Sequence, residues 1–148
     1  MTDAIPSEVE GGASGLMTYG TTIFEGHEAF CVDWPYVGYY DKHTDRLNDF
    51  QLMILDRSDV GPGAFEIVFN YDQVRWETGD ASGGHDGLGG ESAAVGFSNG
   101  DGTPGHSLEL PGSHENGPLL DSNSTTGLIH HDRGSTVLGR YVFDVFPH

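Results

Sequence analysis

The chain has 148 residues, enough for one domain, and its 23 acidic and 6 basic residues give a formal charge of −17 at pH 7. Nucleic acids and anionic membrane surfaces are bound through clustered lysine and arginine, so this composition excludes both as partners. No apolar run approaches the ~20 residues of a membrane span, and we expect no membrane insertion. The 23 glycines and 7 prolines argue against a helical bundle, because both residues interrupt helices.

The N-terminal segment lacks the pattern of a folded element. Residues 1–18 are mostly polar, acidic and rich in glycine, which is typical of a flexible arm or linker. We therefore predict an arm over 1–18 and one folded domain over 19–148. The segment also lacks a cationic start followed by an apolar stretch, so we expect any export signal to lie outside this sequence.

Strand patterns follow the predicted arm. Residues 21–24 are β-branched or aromatic, and residues 25–27 are typical of a turn. Apolar side chains then alternate with other residues, which indicates a strand with one apolar face, at Phe30, Val32 and Trp34. Pro35 is expected to interrupt this strand, and residues 37–40 are predicted to form a short second piece.

The clearest element is a β-hairpin in the middle of the chain. Residues 50–55 are apolar on both faces, as in a strand covered on both sides, and residues 57–63 contain a Gly-Pro-Gly turn. In residues 65–71 the odd positions are apolar and the even ones mostly polar, so this strand is expected to cover the core on one side only. The apolar phase changes afterwards, which predicts a bulge or bend near Asp72.

Long loops dominate the second half of the chain. Glycine is frequent over residues 79–117, where only residues 93–97 and 107–110 resemble strands, and a last strand is predicted at 140–146. About eight short strands and less than about a tenth helix predict an all-β fold, an antiparallel β-sandwich with long Gly-rich loops. The predicted shared core consists of Phe50, Ile54, Phe65, Ile67, Phe69 and Trp76.

Catalytic motifs are absent or incomplete. Neither Gly-x-Ser-x-Gly nor His-Glu-x-x-His occurs in the chain. Cys31 lies in an apolar strand pattern and is predicted to be a buried structural thiol. His130 and His131 are adjacent, so on a strand they would point to opposite faces and are not expected to share a metal ion.

Acidic residues in the glycine-rich loops form one candidate ion site. Calcium is bound by flexible clusters of carboxylate and carbonyl oxygens, which such loops provide. Asp80, Asp86 and Asp101 are the predicted calcium ligands, and Asp56 with Asp59 flank another loop. None of them matches EF-hand spacing. The alternative interpretation is that these carboxylates only solvate the loops.

Several short motifs occur in a distinctive order. They are Asn48-Asp49-Phe50-Gln51, the alternation at 65–71, Trp76, Ala94-Val95-Gly96-Phe97, and the segments 110–113 and 123–127. Their order and spacing resemble the nidogen-like (NIDO) extracellular domain family over roughly residues 24–146. The tract at 76–84 is similar to bacterial members of that family, so the resemblance is to a bacterial-type member.

The resemblance implies a noncatalytic, extracellular or cell-surface module for cell–matrix adhesion, part of a larger exported protein. It implies no certain cofactor, and a matrix or cell-surface protein or glycan as partner. Two alternatives stay open. One is a carbohydrate-binding β-sandwich with an aromatic platform made of Trp34, Tyr36, Tyr39 and Tyr40. The other is a hydrolase with an unrecognised site, marked by a cleft with clustered carboxylates of perturbed pKa.

Overall fold

The computed structural model describes residues 4–5 and 14–146. Most of the predicted arm, and residues 147–148, lie outside the described residues. Of the rest, the backbone N–H of Gly15 donates to the carbonyl of Tyr36 at 3.1 Å, and the Ser14 hydroxyl accepts from Gly38 N–H at 3.3 Å. The first long strand begins at Thr18, one residue before the predicted domain boundary.

The described residues form eight strands and two single-turn 3₁₀ helices, and the predicted all-β fold is confirmed. The strands are β1 (Ala4–Ile5), β2 (Thr18–Phe24), β3 (His27–Tyr39), β4 (His43–Asp56), β5 (Phe65–Gln73), β6 (Gly96–Ser98), β7 (Ser107–Glu109) and β8 (Arg140–Val145). The 3₁₀ turns are Asp80–Ser82 and Leu128–His130. Across the described part of the chain, no helix has the length and apolar character needed to cross a membrane.

Six strands form one antiparallel sheet. Five of them follow the order β1–β3–β4–β5–β8, and β2 is the sixth. β2 also pairs with β3, on the edge that β1 occupies further along. β6 and β7 form a separate two-stranded antiparallel sheet. The large sheet therefore has β1 and β2 at one edge and β8 at the other.

Local chemistry explains where the strands turn and bend. Glu25 and Gly26 link β2 to β3 with positive φ values of 51° and 87°, the conformation of a two-residue hairpin turn. Asp49 pairs with Gln73 and Phe50 with Tyr71, so Asp72 is an extra residue in β5. The bulge predicted near Asp72 is confirmed.

Three predicted elements differ from the structure. β3 continues through Pro35, because the pairing register shifts between Trp34 and Val37. Proline has no N–H to donate across the sheet, and at such a bulge none is required. β4 starts at His43, where polar residues that show no apolar alternation pair with the end of β3. The strand predicted at 93–97 is instead β6, three residues long.

Side chains on the two faces of the large sheet form separate clusters. The back face is defined by the row Cys31, Met53, Val68 and Val142, and Val68 is completely buried there. The prediction that β5 covers the core on one side only is therefore wrong. This face therefore has a small apolar centre of its own. Polar residues of the same face include Glu66, which forms an ion pair with Arg57 at 2.8 Å.

The front face carries the larger core. It is defined by the rows Phe30–Ile54–Ile67–Phe143 and Val32–Leu52–Phe69–Tyr141. Its β5–β8 half packs against β6, β7 and the loops, through the leucines Leu110, Leu119, Leu120 and Leu128. These loops and the short β6–β7 sheet form the second layer of the sandwich.

The second layer covers only part of the front face. Phe30 and Ile54 are 42% and 39% exposed, so Ile54 does not belong to the core predicted for it. Trp76 packs in a third cluster with Val37 and Tyr39 rather than with the β5 side chains. The part of the front face around Phe30 and Ile54, next to β2, is therefore open to solvent.

Candidate functional site

A cavity of about 410 Å³ lies between the front face and the loop layer, and we refer to it as the aromatic cavity. Trp34, Phe50 and Tyr71 line it and stand opposite one another on β3, β4 and β5. Their ring centroids are 5.3 Å apart for Trp34–Phe50 and 6.3 Å apart for Phe50–Tyr71. Burial raises the pKa of Tyr71, and nearby Tyr141 adds to the rise, as expected for a phenol among apolar groups.

Asn48 holds the chain that borders the cavity against the sheet. Its Oδ1 accepts from the backbone N–H groups of Arg75 at 2.7 Å and Trp76 at 3.1 Å, and its Nδ2 donates to the carbonyl of Trp76 at 2.9 Å. The indole N–H of Trp76 donates to the carbonyl of Val37 at 2.8 Å. Asn48 and Trp76, both members of the short sequence motifs, therefore set the shape of one cavity wall.

Glu77 is a buried carboxylate that joins the loops around the cavity. Only 8% of it is exposed. Its Oε2 accepts from the N–H of Gly117 at 2.7 Å, and its Oε1 from the N–H of Gly89 at 3.4 Å. Its own carbonyl accepts from Ala93 N–H at 2.8 Å. Sequence reasoning missed Glu77, although a charged residue directly after the buried Trp76 was the signal available.

The open part of the front face forms a second feature, the uncovered patch. It consists of Tyr19, Ile23, Phe30 and Ile54, and all four side chains are exposed. The register places Tyr19 and Ile23 of β2 on the face that holds Phe30. Tyr19 and Phe30 have ring centroids 6.2 Å apart. Since Trp34 lies on the same face of β3 as Phe30, the patch and the aromatic cavity are neighbours.

The predicted calcium ligands are occupied by other contacts. Oδ2 of Asp80 lies 3.2 Å from His43 Nε2, and Oδ2 of Asp86 lies 3.1 Å from the ring of its neighbour His85. Over residues 4–5 and 14–146, no group of three or more His, Cys, Asp or Glu side chains could hold a metal ion. Asp56 bonds to Ser58 and Asp59 to Arg57. The described geometry does not bring Asp80, Asp86 and Asp101 together as an ion site.

Calcium binding stays a prediction with a direct test. If the loops bind the ion only in the folded state, calcium at a hundredfold excess over Kd stabilises the domain by about 2.7 kcal/mol. Millimolar calcium then raises the melting temperature more than magnesium at equal ionic strength, because magnesium demands a tighter octahedral site. Equal shifts from both ions would indicate charge screening, and no shift would leave the loops without a bound ion.

Asp101 instead organises its own loop. Its carboxylate accepts from the N–H of Thr103 at 2.7 Å and lies 2.8 Å from His106 Nδ1 and 2.9 Å from Asn99 Nδ2. These hydrogen bonds, that from Thr103 first, lower the pKa of Asp101 from 3.8 to about 2.

The lowered pKa of Asp101 predicts how the 99–106 loop responds to acid. Because the folded-state pKa lies below the unfolded value of 3.8, the stabilisation is present above that pH and lost as pH falls through about 2. A ¹³C NMR titration of the Asp101 carboxyl group should give a midpoint well below 3.8. Asp101→Asn should speed hydrogen exchange at the Thr103 amide. A midpoint at or above the ordinary value would contradict the loop geometry.

Two of the remaining sequence candidates, Tyr39 and Cys31, lie in environments that differ from those predicted. Tyr39 is 1% exposed and packs on Trp76, so the four-residue aromatic platform is not formed as predicted. Among the described residues, Asp49 is the carboxyl group whose pKa is raised, mainly by burial and to a smaller extent by the nearby charge of Asp72. Asp49 does not line the aromatic cavity. Cys31 is half-buried against the back-face cluster, not fully buried as predicted. Partial burial, with a smaller contribution from Asp33, raises the pKa of the Cys31 thiol, which disfavours the reactive thiolate.

The comparisons with known proteins agree with this architecture. The nidogen-like domain family matches residues 9–146 of the chain. Alpha-tectorin of Mus musculus is 34% identical over 128 residues, covering 84% of this chain and 5% of that protein. Alpha-tectorin of Homo sapiens is 33% identical over 126 residues and that of Gallus gallus 31% over 125, each covering 82% of this chain and 5% of the relative. No solved structure matches the chain.

These matches identify the family of the chain and its extracellular localisation. The chain spans only 5% of the length of the curated relatives it matches, so it corresponds to one region of much longer proteins. The relatives are from animals, which gives no support to the bacterial type inferred from residues 76–84. The match over residues 9–146 shows that the chain belongs to the nidogen-like domain family, as an extracellular module.

Proposed function

We propose that this chain is a noncatalytic adhesion or surface-display module that holds an extracellular protein on the uncovered patch. The observation that carries the proposal is the patch itself: exposed apolar side chains on three neighbouring strands, Tyr19, Ile23, Phe30 and Ile54. Contiguous exposed apolar surface rimmed by polar residues is typical of protein-interaction sites. Family membership supports the extracellular setting, and the match to a small part of long relatives supports a role within a larger exported protein.

Charge identifies the kind of partner that fits. Glu28 and Asp56 are exposed on the same face as the patch. Strands β2, β3 and β4 carry one arginine, Arg46, and no lysine, in a chain of net charge −17. A protein surface with an apolar centre and a rim of lysine and arginine would complement this face, and charge complementarity would speed association.

A binding assay on matrix material tests the proposal. Immobilised domain is incubated with a solubilised animal extracellular-matrix preparation, before and after treatment of that preparation with protease or with periodate. The double variant Phe30→Thr, Ile54→Thr places residues of high strand propensity at both positions and should lower retained material at least about tenfold, as at interface hot spots. The control Val60→Ser, Val137→Ser removes two exposed apolar side chains outside the patch and should bind like the unaltered chain.

The outcomes separate the functional classes. Retention that is lost after protease treatment of the matrix supports a protein partner. Retention that is lost only after periodate oxidation would transfer the assignment to a glycan and overturn the protein proposal. Equal retention by the patch variant and the control would show that the uncovered patch is not the docking surface.

A further inference from the structure

The aromatic cavity differs in chemistry from the uncovered patch beside it. Its apolar lining includes five aromatic side chains, Trp34, Phe50, Phe69, Tyr71 and Trp76. Its charged lining consists of carboxylates, Glu77, Glu91 and Glu115, and neither lysine nor arginine lines it. His114 is the one lining group that could carry positive charge. Its Nε2 lies 3.5 Å from Oε1 of Glu109, a residue that does not line the cavity.

None of the three carboxyl groups has an ion-pair partner among the described residues. The ion pairs of residues 4–5 and 14–146 include neither Glu77 nor Glu91 nor Glu115. Glu77 accepts hydrogen bonds from neutral backbone N–H groups, which supply no opposite charge. Glu91 and Glu115 are exposed, so they mark the side of the cavity that solvent and a partner reach.

Aromatic rings and carboxylates together favour a cation that has an apolar body. A guanidinium or ammonium group is attracted by the faces of Trp and Tyr rings, and the attraction grows where the site excludes water. An anionic ligand would be repelled by the three carboxylates, and a neutral apolar ligand would gain no electrostatic attraction from them. A volume of about 410 Å³ lies in the range of pockets that enclose a small molecule or a long side chain.

We infer that the aromatic cavity takes an arginine or lysine side chain presented by the protein partner. The inference rests on the proposed function, because the cavity adjoins the uncovered patch along β3, where Phe30 and Trp34 share one face. A partner seated on the patch therefore lies beside the Trp34 end of the aromatic row. The aliphatic part of the side chain packs on the aromatic row, and its charged end meets Glu91 and Glu115 at the solvent side.

The test uses a matched pair of probes and the intrinsic fluorescence of the chain. Both tryptophans, Trp34 and Trp76, line the cavity, so their emission reports its occupancy directly. N-acetyl-arginine amide and N-acetyl-citrulline amide differ in one charged group and are nearly equal in shape. At constant ionic strength the arginine compound should change the emission saturably, with a Kd at least about tenfold lower than that of the citrulline compound.

Two variants separate the cavity from the overall negative charge. Glu91→Gln, Glu115→Gln removes two exposed carboxylates that line the cavity, and it should weaken binding of the arginine compound several-fold. Asp132→Asn with Asp144→Asn removes two exposed carboxylates outside the cavity lining and the patch, and it should leave the Kd unchanged. Equal binding of the two probes, no saturable response, or equal weakening by both variants would each overturn the inference.

Failure of this inference is distinguishable from failure of the proposed function. If the matrix assay shows patch-dependent retention while the arginine compound does not bind, the adhesion proposal stands and the cavity assignment falls. If the arginine compound binds but retention does not depend on the patch, the cavity is a cation site and the docking surface lies elsewhere.

Discussion

Replacing Phe143 by alanine is expected to destabilise the domain by about 3–5 kcal/mol, through loss of buried surface and formation of a cavity. Phe143 is 5% exposed, and its ring lies edge-on to Phe97 at 5.3 Å and to Phe69 at 6.1 Å. Arg133 also places its guanidinium carbon 4.7 Å from the ring centre. The side chain thus joins the large sheet to β6, and its removal weakens the contact between the two layers.

Urea denaturation of Phe143→Ala against the unaltered chain measures this change. Phe146→Ala provides a matched control, because Phe146 is 55% exposed and follows β8 directly. The control should change the free energy of unfolding by less than about 1 kcal/mol. A change of similar size in both variants would show that Phe143 does not join the two layers.

Asn48→Ala is expected to destabilise the domain by about 2–4 kcal/mol, because three backbone groups lose their hydrogen-bond partner in a buried environment. The orphaned groups are the N–H of Arg75 and both the N–H and the carbonyl of Trp76. Trp76 also lines the aromatic cavity, so its fluorescence emission should shift towards that of a solvated indole. Chemical denaturation and an emission spectrum of the folded variant measure the two effects.

Two further variants give this prediction its specificity. Asn48→Asp keeps an acceptor for the N–H groups of Arg75 and Trp76 but loses the donor to the Trp76 carbonyl, so it should also destabilise the fold. Asn99→Ala removes an exposed amide whose partners, Asp101 and His106, are themselves exposed, and should cost less than about 1 kcal/mol. If Asn48→Ala behaves like Asn99→Ala, Asn48 does not hold the cavity wall.

Strands were predictable where apolar and polar residues alternate along the sequence. The alternation at 65–71 and the change of phase at Asp72 led directly to β5 and its bulge, since period-two burial is imposed by local backbone geometry. The start of β4 at His43 was not predictable in this way. Its first residues are polar and pair with the end of β3, so their strand conformation comes from backbone hydrogen bonds across the sheet.

Burial on the back face also depended on distant residues. Val68 lies between the polar residues Glu66 and Asn70 at the even positions of β5 and so resembles a solvent-facing position. Its burial results from Cys31, Met53 and Val142, which neighbouring strands bring into the same row. Ile54 shows the reverse: it lies in an apolar run but is exposed, because the loop layer does not extend over the Phe30–Ile54 end of β3 and β4.

The sequence by itself determined the all-β class, the hairpin around residues 50–71 and the family, because these follow from composition, period-two patterns and motif order. Tertiary structure alone decided which residues form the candidate site. Trp34, Phe50 and Tyr71 come from three separate strands, and Glu91 and Glu115 come from loops whose course depends on Asn48 and Glu77. Register and long-range hydrogen bonds bring these side chains around one cavity, and neither has a signature in local sequence.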